Sequence, residues 1–281
     1  MTNHINSKSA GSKSEIKSQV SGQTYVIEHT ILPDNPEDIP NIIGWSGPSR
    51  VGSTALLYLL SGHPAIDRAY FQPQATLMRL GAPDFELSAK DKVICMKEVF
   101  WSLEHTKTPH DPIDLLMRAG VPANKIIWIF MLRDPVQIQA SWEYFDPGID
   151  PTLLAFWQSH TIKLYEKYKA LGINAIPFCY EMLEGRESQV LSILLDKIGL
   201  EPAFMGCEFD LEAIKSKLVP GQAADDEYFK HLLKPTVERK RFSYGRNRHP
   251  LDSKMASRVV DLCMSDYAKF FKAASEELGI R

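Results

Sequence analysis

Cysteine is scarce in this chain: there are four in 281 residues, Cys95, Cys179, Cys207 and Cys263, and no two form a Cys-x-x-Cys pair. Spacings this wide argue against a disulfide framework and against a cysteine zinc site, and they fit a reducing, cytoplasmic setting. Long apolar runs are also missing. None approaches the roughly 20 residues that span a bilayer, and the opening residues contain no signal-peptide core. Charge of one sign is not in excess either. The formal net charge is −3, with basic residues spread along the chain, which gives no electrostatic case for nucleic acid or an anionic membrane surface. No internal repeat occurs.

What remains is an ordinary apolar content at a length that allows a substantial core. Residues 1–23 are rich in Ser, Lys, Asn and Gly, and we expect them to form a disordered tail because so few apolar groups cannot offset the entropy of ordering. The rest, 24–281, is expected to be a single domain. An edge strand is predicted at 24–32. Largely apolar runs follow at Ile42–Trp45, Lys92–Met96, Ile126–Leu132 and Ile173–Cys179, and a further short strand is predicted at Ala65–Phe71. Helical patterns separate them at 73–80, 113–119, 136–145, 151–171 and 187–198. Strands without polar alternation, spaced by amphipathic helices, predict an α/β fold with a central parallel β-sheet flanked by helices on both faces. Such sheets bind ligands at the carboxyl ends of their strands, so the polar residues just past each run are the ones to consider.

The stretch Asn41–Pro64 carries the strongest local signal. A short apolar run leads into Ser46-Gly47-Pro48-Ser49-Arg50-Val51-Gly52, and a helical pattern starts at Ser53-Thr54. Two glycines let the backbone turn sharply. N–H groups at the helix start, the positive end of its dipole and the Arg50 guanidinium then serve one small volume, which suits a phosphate. Gly47, Gly52 and Thr54 fit the Gly-x-x-x-x-Gly-Lys-[Ser/Thr] pattern of nucleotide triphosphatases, but Ser53 stands at the lysine position. The usual γ-phosphate clamp is therefore missing, and the cation lies inside the loop.

Read as Arg50-Val51-Gly52-Ser53-Thr54, the loop resembles the 5′-phosphosulfate loop of sulfotransferases that use 3′-phosphoadenosine 5′-phosphosulfate (PAPS), with Arg for the more familiar Lys and Ala55 where an adenine-stacking Trp often stands. Met131–Phe145 is similar to the family's 3′-phosphate motif, in which an Arg at a strand end and a Ser eight residues later hold that phosphate; the resemblance gives these roles to Arg133 and Ser141. Ile176–Leu183 resembles the segment whose tyrosine, here Tyr180, lies near the adenine; Glu181 fits that segment and Met182 departs from it. Val237–His249 resembles the C-terminal Arg-Lys-Gly-x-x-Gly segment, with Arg239, Lys240, Arg241, Gly245 and Arg246 as nucleotide contacts and Arg241 where a glycine is expected. The four segments keep the family's order. The resemblance implies a P-loop-like sulfotransferase fold, PAPS as donor, 3′-phosphoadenosine 5′-phosphate (PAP) as product, and no metal.

Sulfuryl transfer needs a positioned donor, cations on the leaving-group charge, and a base for the acceptor proton. Arg50 and Lys97 are the candidate cations, Lys97 by its match to the family's strand-end lysine. The family's histidine falls on Val99, so Glu98 is the first candidate base, with His105 and His110 as rivals. Two other readings stay open here. A P-loop kinase or NTPase would share the sheet, with Asp134 as its acidic residue, and a catalytically silent nucleotide-binding protein would share the cradle. Aromatics near the expected mouth (Tyr70, Phe71, Phe100, Trp101, Trp142, Tyr144, Phe145, Trp157) and acids (Asp67, Glu98, Glu104, Asp146, Asp150) suggest a small cationic acceptor, such as a guanidinium alkaloid of the saxitoxin type. A homodimer is the protein partner compatible with this reading.

Overall fold

Apolar runs at 42, 68, 93, 126 and 174 hydrogen-bond side by side in one sheet. The computed structural model describes residues 16–20, 23–27, 30–72, 85–100, 111–202, 214, 216–218, 245 and 249–280. A hairpin of β1 (Ile16–Val20) and β2 (Gln23–Ile27) comes first, and β3 (Thr30–Ile31) pairs in parallel with β6 (Phe85–Glu86). Ile16–Val20 belongs to the stretch expected to lack structure. The strand expected over 24–32 is split, because β2 pairs within the hairpin and β3 pairs with β6.

The central sheet contains β4 (Asn41–Pro48), β5 (Arg68–Phe71), β7 (Val93–Phe100), β8 (Ile126–Leu132) and β9 (Asn174–Cys179). Its order is β5-β7-β4-β8-β9, with every neighbour parallel. Among the described residues the helices are α1 (Ser53–Gly62), α2 (Pro112–Ala119), α3 (Pro135–Phe145), α4 (Pro151–Ala170), α5 (Glu187–Lys197) and α6 (Ser253–Leu278). The helix expected at 73–80 lies outside the described residues. Three helices start the same way: Asp111, Asp134 and Asp150 accept backbone N–H bonds as N-caps, and a proline follows each. A carboxylate satisfies orphan donors of the first turn, and proline there loses no helical bond.

Two strands are longer than expected. β4 runs on to Pro48 and β7 to Phe100, since the pairing continues through Trp45↔Lys97, Ser46↔Glu98 and Pro48↔Phe100. Lys97 and Glu98 thus lie within a strand rather than beyond its end. Side chains alternate across a strand, and the alternation shows which helix covers which face. The Trp45 indole donates to the Ser53 carbonyl at the start of α1 (3.1 Å). Phe130 and Phe100, on the opposite face, meet Tyr165 and Trp157 of α4. The sheet is therefore covered on both sides. Chain direction agrees: β4 connects toward β5 on one side, whereas β8 connects toward β9 on the other. This reversal opens a crevice above the carboxyl ends of β4 and β8.

Helix α6 is an element that the motif-centred reading passes over. Its buried residues Val259, Cys263, Tyr267, Phe270, Ala274 and Leu278 recur every three or four positions, the stripe of a helix docked on a core. Phe270 meets Tyr165 of α4 edge to face, and Gln158 of α4 donates to the Cys263 carbonyl (2.8 Å). No helix among the described residues is long and apolar enough to cross a membrane.

Candidate functional site

The loop leaving β4 lies at the reversal crevice. Ser49 N–H donates to the Phe100 carbonyl, which ties the loop to the end of β7. Gly47 is required by close approach: a Cβ there would stand 2.1 Å from the Met131 carbonyl oxygen of β8. Gly52 caps α1 in the left-handed region at φ 88°, with no side-chain cap bond. The hydroxyls of Ser53 and Thr54, expected at the helix start, are thus inside the first turn. That start leaves its first N–H groups without intrahelical partners. Arg50 also has positive φ, 74°, a conformation that costs a non-glycine residue about 1 kcal/mol or more and that clusters at functional loops.

Contacts from two other segments hold Arg50 there. Its Nε donates to Ser141 Oγ on α3 (2.9 Å), and its guanidinium lies over the Phe145 ring one turn further on (5.0 Å). Arg133, just past β8, donates from Nη1 to the Arg50 carbonyl (3.2 Å) and from Nη2 to the Gly245 carbonyl (2.7 Å). Arg50, Ser141, Arg133 and Gly245 therefore share one place, although 91 residues separate Arg50 from Ser141 and 112 separate Arg133 from Gly245. Val51 is fully buried beside them.

Lys97 enters from β7. It is 2 % exposed, on the α1 face, with Nζ donating to Thr54 Oγ1 (2.9 Å) above the Phe71 ring (4.2 Å). Burial, and then the Arg50 charge, pull its pKa down from 10.5 to about 7, against the raising effect of Glu98. Glu98 is fully buried and turns to the other face, in register with Ser46 and Phe130. Lys97 and Glu98 are adjacent in sequence but not on one surface.

Tyr180 is buried, with its ring packed where a Cβ on Gly52 would lie and beneath the Arg133 guanidinium (4.8 Å). The neighbouring Glu181 places Oε1 3.8 Å from Arg133 Nε. Its Oε2 accepts from the Tyr267 hydroxyl of α6 (2.7 Å). Burial raises the Glu181 carboxyl above its ordinary value, opposed by the Tyr267 bond, by backbone amides and by the Arg133 charge. Tyr267 gives no signal in sequence, because 86 residues separate it from Glu181.

Other expected residues are distributed differently. Tyr70, Phe71, Phe100, Trp142 and Trp157 are core, while Tyr144 and Phe145 are exposed. Asp67 does not belong to the mouth. Its carboxylate accepts from the Lys92 and Val93 amides at the amino end of β7, the opposite edge of the sheet, because it precedes β5 rather than following it. Asp134 Oδ1 accepts from the Val136 and Gln137 amides, so that carboxylate serves as a helix cap. Asp150 caps α4 and pairs with Arg258 (3.2 Å). Trp101, Glu104, His105, His110, Arg239, Lys240, Arg241 and Arg246 lie outside the described residues.

No protein-family model matches the chain, and no curated protein matches it significantly. Among solved structures, mouse sulfotransferase SULT7A1 complexed with PAP is similar at 13 % identity and a TM-score of 0.45, covering 94 % of this chain and 99 % of that one. The sulfotransferase domain of the Synechococcus PCC 7002 olefin synthase is similar at 14 % identity and a TM-score of 0.40, covering 83 % of this chain and 97 % of the domain.

Proposed function

We propose that the protein is a sulfotransferase that moves a sulfuryl group from PAPS to a hydroxyl or nitrogen of a small-molecule acceptor. The observation that carries this reading is the convergence of Arg50, Ser141 and Arg133 at the carboxyl ends of β4 and β8. Two guanidinium groups and a hydroxyl beside an uncapped helix start form a site for an anion with two separated charges. The loop has no lysine at the γ-phosphate position, which favours a 5′-phosphosulfate over a triphosphate.

In this reading, Arg133 and Ser141 bind the 3′-phosphate, and Arg50 and the first N–H groups of α1 bind the 5′-phosphate. Lys97, protonated once the anionic nucleotide is bound, stabilises charge on the oxygen that leaves with it. Tyr180 backs Arg133 and the loop from below, with the adenine beyond it. Arg239, Lys240, Arg241, Gly245 and Arg246 are the further candidates for contact with the nucleotide. Of the two expected bases, His105 is the better candidate for removing the acceptor proton, because Glu98 is fully buried on the opposite face of the sheet from Lys97. A cationic acceptor, such as a guanidinium alkaloid, fits Asp146 and the exposed Tyr144 and Phe145 at the end of α3.

Titration calorimetry with PAP and ADP tests the reading, since these ligands share a 5′-phosphate and only PAP carries the 3′-phosphate. PAP is expected to bind more tightly by about 100-fold, the scale of a charge-assisted contact to a buried cation. Arg133→Ala is expected to abolish that preference. Equal affinities in the unmodified protein would overturn the 3′-phosphate assignment.

A further inference from the structure

The C-terminal helix reaches the site through one chain of polar contacts. Tyr267 of α6 donates to Glu181 Oε2 at 2.7 Å, and Glu181 Oε1 faces Arg133 Nε at 3.8 Å. Tyr267 is 8 % exposed, and Arg133 Nε and Glu181 Oε1 are both buried without a hydrogen-bond partner among the described residues. A pair so close yet not hydrogen-bonded requires something else to set its geometry, and the Tyr267 hydroxyl is the side chain that holds the carboxylate, beside the backbone amides at Asp134 and Glu181. A guanidinium has five N–H donors. Among the described residues, two of them go to the Arg50 and Gly245 carbonyls and Nε lies 3.8 Å from Glu181 Oε1, which leaves two for a ligand, and their direction depends on the other three.

We infer that Tyr267 and Glu181 are positioning residues that aim the Arg133 guanidinium, so that helix α6 sets the selectivity of the site for a nucleotide bearing a second phosphate. The inference rests on the assignment of Arg133 to the 3′-phosphate. With the Tyr267 hydroxyl gone, the Glu181 carboxylate keeps its backbone amides but loses the side-chain bond that draws it toward α6, and it shifts toward a full hydrogen bond with Arg133 Nε. The guanidinium then turns toward Glu181, and its two ligand-facing donors turn away. The aliphatic and aromatic packing of α6 stays in place, which separates this effect from loss of fold.

PAP and ADP titrations of Tyr267→Phe, Glu181→Gln, Arg133→Ala and the Tyr267→Phe/Arg133→Ala double variant test the inference, with thermal unfolding recorded for each. Tyr267→Phe is expected to weaken PAP by about tenfold, the scale of a hydrogen bond to a charged group, and ADP by less than about twofold. Glu181→Gln is expected to lower the PAP-to-ADP ratio in the same direction, and it answers the question if Tyr267→Phe does not fold. The double variant should show no loss of ratio beyond Arg133→Ala alone, because the residues act through one group. An unchanged ratio in both Tyr267→Phe and Glu181→Gln, with the ratio collapsed in Arg133→Ala, would overturn the inference and leave the nucleotide assignment standing. Tighter PAP binding by Glu181→Gln would also overturn it, since Glu181 would then compete with the ligand rather than aim its partner. An unchanged ratio in Arg133→Ala would remove the assignment itself, and the inference with it.

Discussion

Lys97 shows how one residue can be costly to the fold and useful to the site. A buried ammonium near a second cation prefers to lose its proton, and its folded pKa of about 7 lies far below the ordinary 10.5. The sign of the linkage follows directly. Below about pH 7 both folded and unfolded chains hold the proton, so the cost of burying the charge is fully present. Between about 7 and 10.5 the unfolded chain binds more protons, so this group makes stability rise with pH across that window. Lys97→Met is expected to raise the melting temperature of the ligand-free protein, more at pH 6 than at pH 10, while lowering turnover by about 100-fold or more. Differential scanning calorimetry and steady-state rates check the two halves of this prediction. A lower melting temperature at pH 6 would mean that the bond to Thr54 outweighs the burial cost. At pH 8, PAP binding is expected to draw a proton onto Lys97, read as a buffer-dependent calorimetric enthalpy that fades at pH 6.

At the scale of elements, the strand, loop and helix from β4 to α1 form a cradle only because Gly52 allows both the turn and the approach of Tyr180. A Cβ at Gly52 would lie 2.4 Å from the Tyr180 ring, on a backbone with φ 88°. Gly52→Ala is therefore expected to cost roughly 2–4 kcal/mol in denaturant unfolding, combining backbone strain with displacement of a packed ring. Because Tyr180 lies under Arg133, the same variant should also weaken PAP. Near-native stability would show that the ring moves freely. The spans of α2, α3 and α4 were legible from sequence to within one residue at each end, since helical patterning is a local signal. The ends of β4 and β7 were not. Polar Ser46, Lys97 and Glu98 look like loop residues until the neighbouring strand is seen to pair with them.

At the scale of the whole molecule, a chain of net charge −3 gathers Arg50, Lys97 and Arg133 at one crevice. Without an anion these cations repel one another, so a ligand that neutralises them should stabilise the entire fold by mass action. PAP at about 100 times its Kd is expected to add about 2.7 kcal/mol and raise the melting temperature by roughly 5 °C or more. ADP at the same concentration should raise it less, and thermal-shift measurement with both ligands checks this. An equal shift would mean that the 5′-phosphate accounts for all of the binding.

The sequence by itself determined the cradle and its chemistry: a glycine loop with Arg50 inside it, a helix starting at Ser53, a missing triphosphate lysine, and an Arg and a Ser set eight residues apart. These are local signals, carried by residue types within one loop or a few helical turns. Tertiary structure alone decided that Arg50 bonds Ser141, that Asp67 lies at the far edge of the sheet, that Lys97 and Glu98 face opposite ways, and that Tyr267 reaches Glu181. The physical reason is that strand register assigns every side chain to a face, and register depends on partners distant in sequence. No spacing rule can supply a contact between positions 86 residues apart; the docking of α6 beside β9 does.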